Sequence, residues 1–183
     1  DEAKAALQSI FDALSGVRPE DYIVGLEPSD TLVWRDEAKD LIFPDHQAWS
    51  FQSVLLFEEL VLKLHQHTPF PFKPMDRKIW LHVHCHQKSI AQAKDVESAL
   101  SLIPKVALTV IPSGCCGMSG EFGYKNYDVS KTIAQQSILP SLDQADDHDW
   151  IIATGTSCRH QMQDFAQKQA MHSAQVFLQA LGT

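Results

Sequence analysis

Three short apolar runs, KIWLHVHC (78–85), VALTVIP (106–112) and WIIATG (150–155), each end at a cysteine or lead to one within a few residues. A fourth run, DYIVGLEP (21–28), leads instead to Asp30. Short runs bounded by Gly, Pro and Ser read as buried strands. Helical patterns lie between them, over 50–66, 88–103, 127–139 and 157–181. In 88–103, Ile90, Val96, Leu100 and Ile103 fall near one face. The 127–139 pattern runs into Pro140, and Gly182 stops the last one. Alternating strands and helices predict an α/β fold with a largely parallel sheet and flanking helices. In an open parallel sheet the loops at the strands' carboxyl ends share one edge, where ligands bind. Cys85, Cys115, Cys116 and Cys158 are therefore expected to converge on loops along that edge.

The stretch TPFPFKPMDR (68–77) carries three prolines and reads as an extended linker. It separates a first part, 1–67, from a second, 78–183. A faint internal repeat relates them. VGLEPSDTLVWRD (24–36) aligns with IATGTSCRHQMQD (152–164), matching Ser29 to Ser157 and Asp36 to Asp164 and setting Asp30 opposite Cys158. The pattern agrees with two related halves, of which the first has a carboxylate where the second has a thiol. A carboxylate can hold a metal but is the harder ligand.

Bulk properties narrow the function. A chain of 183 residues fits one domain or two small halves, and 44% hydrophobic residues suffice for a core. The formal net charge of −8 argues against nucleic acid or an anionic membrane surface as the main partner. No run reaches the roughly 20 apolar residues of a membrane span. The opening DEAKAALQ is no signal peptide, and its lack of a methionine leads us to expect a fragment of something longer. Four unevenly spaced cysteines are too few for a secreted disulfide scaffold and fit a metal or redox site in a reducing cytosol. The competing reading is four unrelated core thiols.

The segment PSGCCGMSGEFGY (112–124) holds two of the four cysteines and four of the eight glycines. Neighbouring cysteines cannot easily bond each other or share one ordinary tetrahedral ion. Gly114, Gly117 and Gly120 permit unusual backbone angles and close approach to a bulky inorganic group. Ser157 is expected to cap a helix starting near Cys158, where the helix dipole favours thiolate. His82, His84 and His86 alternate with Val83 and Cys85, so in a strand they would share one face, and with His160 they could ligate or donate hydrogen bonds. His84 and His86, flanking Cys85, are the best candidates for supporting a ligand. His46, His65, His67, His148 and His172 read as surface. Arg159 is a better counter-charge than Lys88. Phe122, Gly123 and Tyr124 are candidates to wall the site from water, and Glu58 and Glu59 read as a solvated face.

The set HVHCHQKS (82–89), GCCGMSGEFGY (114–124) and GTSCRHQ (155–161) resembles the cysteine-rich CCG domain found in heterodisulfide reductase and in the iron–sulfur subunits of glycolate oxidase and anaerobic glycerol-3-phosphate dehydrogenase. It is most similar to the C-terminal segment of large FAD-linked oxidases like D-lactate and D-2-hydroxyglutarate dehydrogenases. The resemblance implies duplicated half-domains, with 1–67 a remnant of the first and 78–183 the second. It also implies a [4Fe–4S] cluster, in the best-understood relatives non-cubane, with Cys85, Cys115, Cys116 and Cys158 as ligands. Two departures stand out. Gln161 replaces the last cysteine of Cys-x-x-Cys, and Asp30 stands where such relatives carry cysteine. Gly114, Gly117, Ser157 and Arg159 are expected around the cluster, with Asp30, His84, His86, His160 and Gln161 as further ligands or supports.

Three functions follow as expectations. The first is an iron–sulfur electron-transfer domain of an oxidoreductase whose flavin, elsewhere in the parent, oxidises a 2-hydroxy acid. Its partners would be the flavin and ferredoxin-like portions of that parent and an acceptor the sequence does not name. The protein would be cytoplasmic, or peripheral at the inner membrane through its parent. The second is a zinc-binding structural or docking domain. The third is a thiol enzyme using Cys158. FAD belongs only to the parent, since no G-x-G-x-x-G motif is present.

Overall fold

The computed structural model describes residues 2–14, 16–18, 20–42 and 53–182. After α1 (Glu2–Ala13) come β1 (Ile23–Gly25), α2 (Pro28–Val33), α3 (Glu37–Ile42), β2 (Val54–Leu56) and α4 (Phe57–His67). The second part contains β3 (Arg77–His82), α5 (Cys85–Ile90), α6 (Ala93–Leu100), β4 (Val106–Val110), α7 (Phe122–Lys125), α8 (Tyr127–Gln135) and α9 (Ile138–Leu142). It ends with β5 (Trp150–Ala153), α10 (Thr156–Ala166), β6 (Ala170–Met171) and α11 (Ser173–Leu181).

All strand pairs are parallel, so the fold is α/β as expected. β1 pairs with β2, Ile23 opposite Val54. The larger sheet has the order β4–β3–β5–β6, with Leu81 opposite both Val110 and Ile152. Both faces of this sheet are covered, so its central strands read as unbroken apolar runs. Alternation along β3 and β5 divides the core in two. Ile79, Leu81 and Ile152 pack with Val61, Val96, Leu100, Val176 and Phe177, beneath α4, α6 and α11. Trp80, Ile151 and Ala153 pack on the opposite face with Cys116, Met118, Ile138, Leu142, Cys158 and Met162. Trp80 and His82 share parity along β3, so this second face is also His82's. A third small core, Leu7, Trp34, Ala38 and Val54, belongs to the first part.

Several boundaries differ from the sequence reading. The helix expected over 50–66 begins at Phe57, because Val54–Leu56 pairs with β1; residues 50–52 lie outside the described residues. Glu59 then accepts the Leu56 N–H at 2.8 Å and fixes the start of α4. The 88–103 helix is two helices, split where Ala91 turns extended. Pro140 lies inside the first turn of α9, where its missing N–H is not needed. The long 157–181 helix is interrupted because Gln167 adopts the left-handed conformation (φ 53°) and Ala170–Met171 joins the sheet beside β5. Short apolar runs do not distinguish helix from strand; pairing partners do. Around the prolines of 68–77, Phe70, Phe72 and Met75 pack onto the main core, while Lys73 and Met75 donate their N–H groups to Ala180 and Pro104.

Candidate metal centre

Three adjacent strands, β4, β3 and β5, deliver their following segments to one edge. Cys85 opens α5 three residues beyond β3, Cys115 and Cys116 lie in the loop after β4, and Cys158 lies in the first turn of α10 after β5. Cys116 and Cys158 are buried, with Cys158 Sγ donating to Cys116 Sγ at 3.3 Å. Cys85 is half-buried and Cys115 exposed. Cys85 feels both Cys115 and Cys116 electrostatically. The site thus has a buried pair and a solvent-side pair.

Gly117 (φ 87°) bends the Cys-Cys loop, and a Cβ there would lie 3.0 Å from Ile133. The bend aims N–H groups at sulfur. Gly117 N–H donates to Cys115 Sγ at 3.3 Å, Met118 N–H to Cys116 and His86 N–H to Cys85. Such donors favour thiolate. The thiol pKa values separate accordingly. Cys116 falls well below the ordinary thiol value, chiefly through the hydrogen bond from Cys158 and against the opposing effect of burial. Cys158 rises, through that same bond and then burial. Burial, followed by the charge of Cys115, raises Cys85.

His82 reaches the buried pair. Its ring, at 0% exposure, makes an Nδ1 contact with Ser113 Oγ at 2.7 Å, while Nε2 has no hydrogen-bond partner. One ligand atom each from His82, Cys116 and Cys158 lies within 4.8 Å of the other two. The sequence reading favoured His84 and His86 over His82. His84 caps α5, accepting the His86 N–H at Nδ1 (3.3 Å), with its ring packed against Gly155. His86 turns to Glu37 in the first part, at 4.0 Å. The three histidines therefore do not share one face: β3 ends at His82, and the chain enters α5. The signal available in sequence was parity along the strand, but it does not say which face carries the thiols.

The other candidates occupy distinct places. Gln161 is buried; its amide Nε2 donates to the Cys116 carbonyl and to Ser130 Oγ (3.0 Å), leaving Oε1 without a partner. Ser157 is not the cap of α10, because the helix starts at Thr156, two residues earlier than that cap would require, with Gly155 as its N-cap. A Cβ on Gly155 would meet His84 Cδ2 at 2.4 Å and Cys158 Sγ at 3.3 Å, so the helix approaches the site over bare backbone. Gly114 accepts from Lys88 at its carbonyl (3.4 Å) and is otherwise open. Asp30, Ser157 and His160 line a cleft of about 420 Å³ with Glu27 and Tyr124, beside the thiols rather than among them. His160 Nδ1 lies 2.9 Å from Tyr124 Oη.

Both basic residues approach the sulfurs. Lys88 binds the carbonyls of Ser113 and Gly114 and lies within electrostatic reach of all four thiols; burial lowers its pKa against their pull. Arg159 donates to the Ala153 and Thr154 carbonyls at 2.8 and 3.0 Å, and burial lowers its pKa as well. Met118, 3% exposed, shields the buried pair, whereas Phe122 and Tyr124 are 43% and 55% exposed. Glu58 is not a solvated residue: it is 2% exposed and accepts from Ser173 Oγ. Glu59 pairs with Arg35, which also donates to the Val54 carbonyl. His172 is buried, capping α11 through Nδ1 and contacting the Leu26 carbonyl through Nε2 at 3.0 Å. His46 lies outside the described residues.

The donor set fits a metal or cluster. Thiols, N–H donors to sulfur, a nearby cation and an orphaned imidazole nitrogen meet where three strands end. Residues 79–163 match the family model described as a cysteine-rich domain, CCG. This segment is similar to CCG domains. The chain is 26% identical over 163 residues to a subunit of anaerobic glycerol-3-phosphate dehydrogenase from Escherichia coli (strain K12), covering 87% of this chain and 40% of that protein. It is 32% identical over 164 residues to D-2-hydroxyglutarate dehydrogenase of Pseudomonas putida, covering 86% of this chain and 15% of that protein. A Haemophilus influenzae protein of the same name is 28% identical over 169 residues, with 87% and 16% covered. The chain thus spans less than half the length of these relatives. No solved structure matches it. Among the described residues no helix is long and apolar enough to cross a membrane.

Proposed function

We propose that this CCG-like domain is the metal–thiolate electron-transfer portion of a larger dehydrogenase. The observation that carries the reading is the meeting of thiols from three strand ends, with Cys116 and Cys158 3.3 Å apart. Cys85, Cys115, Cys116 and Cys158 would hold the centre. An iron–sulfur cluster bound there supplies one-electron transfer. The protein's own part is electrostatic and steric. N–H groups of Gly117, Met118 and His86 stabilise sulfur charge, Lys88 offsets it, and Met118 limits water on the buried side. The exposed Cys115 gives the centre an edge open to a partner. In the parent, flavin would take a hydride from a 2-hydroxy acid and pass electrons on through this domain to an acceptor. The relatives' names, glycerol-3-phosphate and D-2-hydroxyglutarate dehydrogenases, support a hydroxy-compound substrate.

A second reading, zinc, is favoured by the close grouping of one imidazole and two thiols, a donor set zinc accepts. Anaerobic purification followed by iron, zinc and acid-labile sulfide analysis separates the two. Iron with sulfide, and a visible absorption that bleaches on reduction, is the expected result. Zinc without sulfide moves the domain to a structural or docking role.

A further inference from the structure

The imidazole of His82 has no evident purpose as a packing residue. It is fully buried, on the sheet face that also carries Trp80. Burying a polar nitrogen without a partner costs free energy, which native structures seldom tolerate without a compensating interaction. Its Nδ1 is provided for by Ser113 Oγ at 2.7 Å. Its Nε2 makes no hydrogen bond of ordinary geometry. A ring nitrogen lies within 4.8 Å of the Cys116 and Cys158 sulfurs, and the ring helps to lower the Cys116 pKa.

We infer that His82 is a metal ligand, binding through Nε2 the same metal atom that Cys116 and Cys158 bind. Three observations converge. The first is spacing. Two thiolates and an imidazole on one tetrahedral ion, at the usual ~2.3 Å to sulfur and ~2.0 Å to nitrogen, stand about 3.5–3.8 Å from one another. The ligand atoms here lie within 4.8 Å, and the two sulfurs at 3.3 Å, so small side-chain shifts suffice. The second is the arrangement behind the ring. A metal-bound histidine normally engages its other nitrogen with a fixed oxygen, which sets ring tautomer and orientation. Ser113 does this, and Lys88 holds the Ser113 carbonyl. The third is the replaced cysteine. Gln161 uses its Nε2 on the Cys116 carbonyl and Ser130, so it positions the cysteine loop and adds no sulfur. Cys85 and Cys115, on the solvent side, would complete the centre.

This inference rests on the metal-centre reading and gives it a chemical consequence. An imidazole in place of a thiolate removes one negative charge. In an iron–sulfur centre that raises the reduction potential, and in a mononuclear site it suits zinc.

The test needs no catalysis. Chain labelled with 15N at histidine is loaded with 113Cd under anaerobic conditions, and the 113Cd–15N coupling is measured by NMR. One coupled histidine is expected, lost in His82→Ala while cadmium still binds to Cys116 and Cys158. Ser113→Ala, which leaves the ring in place, is expected to weaken binding by about 10–100-fold, the usual effect of losing a supporting partner. Cadmium bound in wild type with no nitrogen coupling, and lost in Cys116→Ser and Cys158→Ser, overturns His82 as ligand but keeps the metal centre. Undiminished binding in both serine variants, or none in wild type, overturns the metal centre and this inference with it.

Discussion

The units β1–α2 and β5–α10 are built alike and equipped differently. Each is a short strand, a two-residue turn and a helix, in the register of the weak sequence repeat. Ser29 and Ser157 take the second helical position, Asp30 and Cys158 the third. The two first turns face each other across the cleft, where Glu27 accepts the Thr156 N–H at 2.8 Å and Ser29 Oγ at 3.0 Å. Yet Cys158 meets Cys116 and an imidazole and feels the charge of Cys85, whereas Asp30 is exposed in the cleft. The β5 unit lies in a four-stranded sheet beside β3, whose next residues supply Cys85, and β3 is flanked in turn by β4 and the Cys-Cys loop. Among the described residues β1 pairs only with β2. A third-position side chain joins a cluster of possible ligands only where neighbouring strands bring others to it.

The largest expected effect tests that contrast directly. Cys158→Ser should abolish metal binding, while Asp30→Asn should leave stoichiometry unchanged, as read by metal analysis after anaerobic loading. Equal loss in both would break the comparison.

Next in size are the cores. Leu81, fully buried at the centre of the larger sheet, should lose about 3–5 kcal/mol on Leu81→Ala, read by urea unfolding of the metal-free chain. In the first part the comparable anchor is polar. Arg35→Ala strands Glu59 and frees the Val54 carbonyl, with a cost of roughly 3 kcal/mol. If the two parts unfold separately, each variant shifts a different transition.

Smaller effects probe the joint. Glu27 serves the first turn of α10 as an N-cap side chain would, from the other unit. Glu27→Ala is expected to cost about 1 kcal/mol. Its pKa lies below the ordinary carboxylate value: burial opposes this, but the Thr156 and Ser29 hydrogen bonds and His84 outweigh it. That contribution is therefore present above the unfolded carboxylate range and is lost as pH falls through the folded value. A Glu27→Gln variant with an unaltered acid limb of stability would remove Glu27 from this role.

His172 gives the smallest expected change. Burial holds its pKa below the usual histidine value, with Glu58 opposing and Arg159 assisting. A neutral ring is needed, since Nδ1 accepts the Ala174 N–H while Nε2 contacts the Leu26 carbonyl. The unfolded chain binds this proton first, so the stabilisation is complete above about pH 6.5 and declines below it. Thermal unfolding of wild type and His172→Asn from pH 7.5 to 5 should converge as pH falls.

Much of this was legible in the residues. The runs that became β1, β3, β4 and β5 announced themselves by apolar content, and parallel pairing followed from the helices between them. Convergence of the cysteine-bearing segments followed from sheet topology alone, because all carboxyl ends of a parallel sheet share an edge. Val54–Leu56 and Ala170–Met171 were not legible, since such short segments are strands only by virtue of β1 and β5 beside them. The burial of Glu58, His172 and Gln161 was hidden for a related reason: each is satisfied by a partner distant in sequence, Ser173, Leu26 and Cys116 respectively.

Local composition and spacing were enough for the α/β class and the segments that carry thiols, while the likeness to CCG domains rested on the resemblance of the cysteine motifs. Packing was needed for the rest: that Cys116 pairs with Cys158, that Cys85 and Cys115 face outward, and that His82, rather than His84 or His86, points at the buried sulfurs. Strand parity gives a side chain one of two faces, but which face the Cys-Cys loop covers is settled by how β4 lies against β3 and by where Gly117 turns the chain.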